Sequence, residues 1–119
     1  MTAIESYQDL LVWQRGMDLA TAVYALTANW PRAELFGLTS QARRAAVSIP
    51  ANVAEGWGRH TTGEFHRYLS IATGSLRELE THLLLSQRIG YTTAAQLAPL
   101  LDSATILSKQ LLTLQRRLK

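Results

Sequence analysis

The stretch from Thr62 to Gly90, TGEFHRYLSIATGSLRELETHLLLSQRIG, decides how this chain folds. Its apolar residues Phe65, Leu69, Ala72, Leu76, Leu79 and Leu83 are spaced by alternating fours and threes, the repeat of one helical face and not the alternation of a strand. Such a heptad seam over about 18 residues extends close to 30 Å at about 1.5 Å per residue. The spacing predicts a helix over 62–89, opening after Thr61 or Thr62, with Gly90 placed as a C-terminal cap.

Working outward, the same periodicity fills the rest of the chain. Thr93 with Gln96 forms a capping box, and Leu97, Leu100, Ala104, Leu107, Leu111, Leu114 and Leu118 continue the three-four spacing, predicting a helix over 93–117. Pro99 falls early in it, where proline is tolerated. On the other side, Leu38, Ala42, Ala45, Ala46, Ile49, Val53 and Trp57 predict a helix over 39–57. Its small side chains let a neighbouring helix axis come close. Pro50 removes a backbone hydrogen bond from its interior and is expected to kink or split it, and Gly56 and Gly58 mark its end. A first helix is predicted over 7–29, opened by Ser6 and Asp9 as a capping box, with Leu10, Trp13, Met17, Ala20 and Tyr24 as its stripe. Pro31 and Gly37 bracket the turn that follows, and Phe36 within it is expected to plug the end of the core.

Four helices joined by short turns pack most simply as an antiparallel up-down-up-down bundle, one all-α domain over 1–119. A helix-turn-helix DNA reader fits poorly because its helices are much shorter, and no solenoid repeat of about 34 to 47 residues is visible. Leu84, Leu85, Leu101 and Leu112 lie beside the last two seams. A single four-helix core need not cover them all, which favours self-association; a wide core face within one chain is the alternative.

Composition bounds the rest. The chain has 119 residues, 47% of them hydrophobic, yet no uncharged apolar run reaches the roughly 18 that a membrane span requires. No membrane association is expected. The absence of cysteine excludes disulfides, thiolate metal sites and cysteine nucleophiles, and the opening residues, with Glu5 and Asp9 and no basic residue before Arg15, do not read as a targeting signal. A cytoplasmic location is expected. The net charge of +3 is unevenly spread. Arg32, Arg43, Arg44 and Arg59 outweigh Glu34 and Glu55 in residues 31–60, and Lys109, Arg116, Arg117 and Lys119 outweigh Asp102 in residues 91–119. Arginine suits bidentate pairing with carboxylates or phosphates, at subunit contacts or on an anionic partner.

Catalytic groups do not assemble in this sequence. His60, His66 and His82 form no pair at i+3 or i+4 and no Glu-x-x-His motif occurs, so neither a two-histidine metal face nor a di-iron bundle site is expected. The spacings Glu78–His82 and His60–Glu64 read as exposed helix pairs. No nucleophile elbow or phosphate loop is present, and Gly74-Ser75 reads as a place for close helix crossing. The chain is therefore expected to be no enzyme and to carry no metal or cofactor.

Two constellations remain. Gln41, Arg44, Ser48, Asn52, Glu55 and Arg59 form one continuous polar ribbon on the second helix, roughly opposite its alanine face, which suits either a solvated surface or a subunit interface. Arg43, Arg44, Arg59, Arg67, Arg116, Arg117 and Lys119 would contact RNA or DNA phosphates if an oligomer gathered them; ordinary solubilising charge is the alternative. Trp13, Tyr24, Phe65 and Tyr68 read as core, and no ribonucleoprotein motif accompanies them.

Three strings carry a family resemblance: Leu11-Val12-Trp13-Gln14, then Leu38 to Pro50 with Asn52-Val53-Ala54-Glu55-Gly56, then Glu64 to Glu80. In these the chain resembles the bacterial 23S rRNA intervening sequence proteins, specifically in the second and third helices and only as a leucine-rich helix in the fourth. The resemblance implies a four-helix bundle assembling as a homopentamer, without established enzymatic activity. That family is similar to the accessory protein of diversity-generating retroelements, a pentamer whose basic surface engages a reverse transcriptase and nucleic acid, which implies the chain itself, a nucleic acid or a nucleic-acid enzyme as partners. It also favours the ribbon from Gln41 to Arg59 as an assembly feature, because the motif coincides with it.

Overall fold

The computed structural model describes residues 3–118 and contains four long helices, with no strand among the described residues. They are α1 (Leu11–Thr27), α2 (Leu38–Gly58), α3 (Thr62–Arg88) and α4 (Ala94–Arg117), with short 3-10 turns at Tyr7–Asp9 and Arg32–Glu34. Each helix packs against its neighbours in the chain and α4 closes against α1, while α1 and α3 stand across the core from one another. Leucine from α3 and α4 fills the centre: Leu69, Leu76, Leu79, Leu83, Leu97, Leu107 and Leu111 are wholly buried.

The caps fall where local chemistry places them. Thr61 accepts the Glu64 amide at the start of α3, Thr93 and Gln96 make a reciprocal capping box on α4, and Gly90 takes φ +85° after α3. The α2–α3 turn passes through His60 at φ 61°, a left-handed position that a residue with a Cβ seldom takes.

The first helix departs from expectation in two ways. Ser6 and Asp9 do form a capping box, but it caps only the turn Tyr7–Asp9; Leu10 is extended, at ψ 128°, and α1 begins after it. The buried face is Val12, Gly16, Leu19, Ala20, Val23 and Thr27, whereas Met17 and Tyr24 are 43% and 46% exposed. Two residues absent from an apolar count explain the rotation. A Cβ at Gly16 would lie 3.3 Å from the Pro50 ring, so glycine admits α2 at close range. Thr27 is buried because its hydroxyl donates 2.8 Å to the Val23 carbonyl oxygen.

Three further expectations are corrected in whole or in part. α2 is not split at Pro50 but continues to Gly58, and the ring occupies the space that Gly16 leaves. Phe36 is 94% exposed, and Trp30 closes that end instead, buried with its indole donating 3.0 Å to Thr92 Oγ1. Of the pair Gly74-Ser75, Ser75 does meet Ser48 of α2, at 2.7 Å, but a Cβ at Gly74 would touch nothing within 4 Å; the glycine in close approach is Gly56, where a Cβ would stand 2.5 Å from the Tyr68 Cβ.

Candidate functional site

The polar ribbon of α2 does not lie opposite the alanine face along its whole length. Gln41 and Arg44 are exposed, but Ser48 and Asn52 are half-buried in the seam with α3. The Ser48 and Ser75 hydroxyls share a 2.7 Å hydrogen bond, and Asn52 Nδ2 donates to the Ser48 carbonyl at 2.7 Å and to Ser48 Oγ at 2.9 Å. The two helices run close here: at Gly56 a Cβ would stand 2.5 Å from the Tyr68 Cβ. The middle of the ribbon is therefore spent on intrachain contact.

Its C-terminal end holds the Arg59–Glu55 pair that i, i+4 spacing offers, joined to Tyr68 of α3, which the spacing missed. Arg59 Nη2 donates to Glu55 Oε1 at 3.2 Å and to the Tyr68 hydroxyl at 3.0 Å, and that hydroxyl donates to the same carboxylate oxygen at 3.3 Å. The bond to Glu55 and the charge environment of Tyr68 hold the Arg59 guanidinium above its ordinary pKa. Arg67 lies with its guanidinium 5.2 Å from the Tyr68 ring centroid, and pairs with Glu64 at 3.4 Å. Tyr68 is buried beneath its hydroxyl, so it is core, as the spacing predicts, and also the hinge of a charged cluster.

The arginines proposed for phosphate contact are divided by the fold. Arg43 donates 2.9 Å to Thr27 Oγ1 and lies 4.6 Å above the Tyr24 ring, at the end where α1 meets α2. Arg59 is 16 residues further along α2, about 24 Å away. Arg116 and Arg117 are exposed in the last turn of α4 and make no ion pair among the described residues, nor does Arg44; Lys119 lies outside those residues. Gln115 beside them donates 3.1 Å to the His66 carbonyl, and Leu118 shares a hollow with Trp57 and His60. Arg59, Arg67, Arg116 and Arg117 thus gather toward one end, with Arg43 and Arg44 toward the other.

Among the described residues no group of three His, Asp or Glu could hold a metal ion, and no helix is long and apolar enough to cross a membrane. Glu78 and His82 do pair, at 3.2 Å. A hollow of about 500 Å³ lies between the start of α1 and the end of α4 and is lined by Ile4, Leu10, Leu11, Val12 and Leu114. Lys109 and Arg117 also line it, and so does Gln110, whose Oε1 is buried without a hydrogen-bond partner among the described residues. Nothing in a single helix's periodicity marks this groove, since it needs two helices to exist.

The family described as 23S rRNA-intervening sequence protein matches residues 8–113 of this chain. A crystal structure of a protein of unknown function from the S23 ribosomal protein family of Bacteroides thetaiotaomicron has the same fold, with a TM-score of 0.79 at 25% identity, over 88% of this chain and 98% of that one. No curated protein matches the chain.

Proposed function

This chain belongs to the 23S rRNA-intervening sequence protein family, and on that premise we propose that it is a non-catalytic, self-associating scaffold or adaptor. In this reading it is an antiparallel up-down-up-down bundle that works in the cytoplasm as a homopentamer. Cross-helix contacts support the topology: Arg43 meets Thr27 while Pro50 meets Gly16, and Ser48 meets Ser75 while Gly56 meets Tyr68. In both pairs the higher residue number on one helix meets the lower on the other. The fivefold count rests on the family resemblance.

One observation carries self-association. Leu84, Leu85 and Leu112 stand 44–47% exposed on α3 and α4, and Ile106 joins them at 46%, a set of aliphatic side chains that a solitary subunit would leave in water; Leu101, counted with them in the sequence, packs against the core instead. Light scattering at micromolar concentration tests it: a species of several subunit masses is expected, and a single species at 13.2 kDa overturns it.

Nucleic-acid binding is the second reading, favoured by Arg44, Arg116 and Arg117, which make no ion pair among the described residues. Arg43, Arg59 and Arg67 are engaged within the chain, which reduces the charge on offer. Binding to structured RNA should weaken steeply with salt and fall when Arg43, Arg44, Arg116 and Arg117 are changed to glutamine. Absence of binding at low salt overturns this reading and leaves the first intact.

A further inference from the structure

Two unpartnered surfaces stand level with each other on different sides of the molecule. The first is the groove between α1 and α4. Its lower hollow, about 500 Å³, has Leu10 and Val12 in its wall with half-exposed Leu11, and an upper hollow of about 150 Å³ lies along the same two helices beside Ala22 and Pro99. Arg15 and Lys109 stand between them, neither in an ion pair among the described residues. Of the acids in the groove, Asp9 is held by the Glu5 and Ser6 amides at 2.9 and 3.1 Å, and Asp18 lines the upper hollow.

The second surface is a stripe on α3. Ile71, Gly74, Glu78, Thr81 and Leu85 follow one another at three-four spacing and all are exposed. Two aliphatic side chains flank one carboxylate, and Gly74 leaves the ridge low enough for close approach. The Glu78 carboxylate contacts His82 Nε2 through one oxygen, at 3.2 Å, and its side chain is 60% exposed.

Hydrogen bonds between α3 and α4 set the relative heights. Gln115 Nε2 donates 2.7 Å to Ser70 Oγ, and Arg77 Nη2 donates 2.6 Å to Ser108 Oγ. The same register places Ile71 level with Leu114, Glu78 with Leu107 and Leu85 with Leu100. Leu114 lines the lower hollow and Leu100 the upper, and Leu107 falls between them, on the stretch flanked by Arg15 and Lys109. Apolar residues on the stripe thus match hollows in the groove, and its carboxylate matches the cations. Because α3 touches α2 and α4 but not α1, the stripe and the groove face different directions.

We infer that the α3 stripe of one copy seats in the α1–α4 groove of the next, with Ile71 and Leu85 at the two hollows and Glu78 between Arg15 and Lys109. Two different surfaces at one height make a head-to-tail contact, and rotation about an axis along the helices repeats it until a ring closes. The inference rests on the self-association reading; of the four exposed aliphatic residues that carry that reading, this contact takes up Leu85 and adds Ile71 and Leu11.

The absence of cysteine makes a direct test possible. In the full chain, Leu11→Cys and Ile71→Cys lie across the core from one another, so oxidation of the double variant can join them only between copies. A ladder of covalent multimers ending at the native mass is expected, with neither single variant producing it. In parallel, Glu78→Arg should weaken association at least roughly tenfold, and combining it with Arg15→Glu and Lys109→Glu should recover it, with circular dichroism reporting that each variant stays helical. Efficient covalent dimers from Ile71→Cys alone, no ladder from a protein that scatters as an oligomer, or an exchange that fails to restore association overturns the assigned surfaces while self-association stands. A wild-type monomer overturns both.

Discussion

The seam between α2 and α3 and the seam between α1 and α4 are built from opposite materials. The first sets glycine and serine against a neighbouring helix, so the backbones come close and the residual polar groups bond across it: Ser48 to Ser75, and Tyr68 to Glu55 and Arg59. The second joins larger aliphatic and long cationic side chains and leaves two hollows along its length. Small residues seal a seam because nothing holds the axes apart; larger ones hold them apart and fill the gap only where their shapes agree. The closed seam therefore offers little to another molecule, and the open one offers apolar hollows and uncommitted charge.

The sharpest way to break this contrast is to force a side chain into the closed seam. Gly56→Ala places a methyl 2.5 Å from the Tyr68 Cβ and should destabilise folding by about 1–3 kcal/mol in urea denaturation; unchanged stability would mean that the seam has slack. Ser48→Ala leaves the half-buried Ser75 hydroxyl without its partner and should cost about 0.5–1.5 kcal/mol, with a double-mutant cycle against Ser75→Ala isolating the pair.

A third prediction concerns the end where the α1–α2 and α3–α4 connections meet. The Tyr91 hydroxyl donates 2.7 Å to Glu34 Oε2, and this bond, with the Leu38 amide, holds the Glu34 carboxyl below its ordinary pKa. A lowered folded pKa means the unfolded chain takes up the proton first. The contribution is complete above the ordinary carboxylate pKa and is lost as the pH falls through the lowered value. Tyr91→Phe should raise the Glu34 pKa seen by NMR titration and reduce the acid-side slope of stability. The smallest effect is expected in the open seam: Leu11→Ala, measured on the isolated chain at high dilution, should change folding stability by no more than about 0.5 kcal/mol.

The helices were legible from spacing because burial on one face repeats with the helical turn. The heptad of α3 from Phe65 to Leu83 is buried throughout, as is the α4 stripe from Leu97 to Leu111. The caps at Thr61 and Thr93 were legible because an amide three residues on is always within reach. The face of α1 was not. Gly16 and Thr27 join it for reasons outside α1's apolar pattern, one the ring of Pro50 and the other a backbone carbonyl, and they displace Met17 and Tyr24. Phe36 misled for a related reason: hydrophobicity favours burial but does not assign a place, and Trp30 had a hydrogen-bond partner in Thr92.

Of the candidate site, the ribbon from Gln41 to Arg59 was legible as one helical face, but its use was not. Whether Ser48 faces water or Ser75 depends on a helix 27 residues later in the chain. The arginines likewise appeared as one basic set, and the fold separates Arg43 from Arg59 by the length of α2 between them.

By itself the sequence determined four helices, their caps and most of their buried residues, because those follow from contacts within a few residues of one another. Only the tertiary structure decided which polar residues are spent inside the chain and which surfaces are left open. Those outcomes depend on how closely two helices approach, a distance set jointly by side chains on both, such as Gly56 with Tyr68 or Leu11 with Leu114, and no single stretch of the chain carries it.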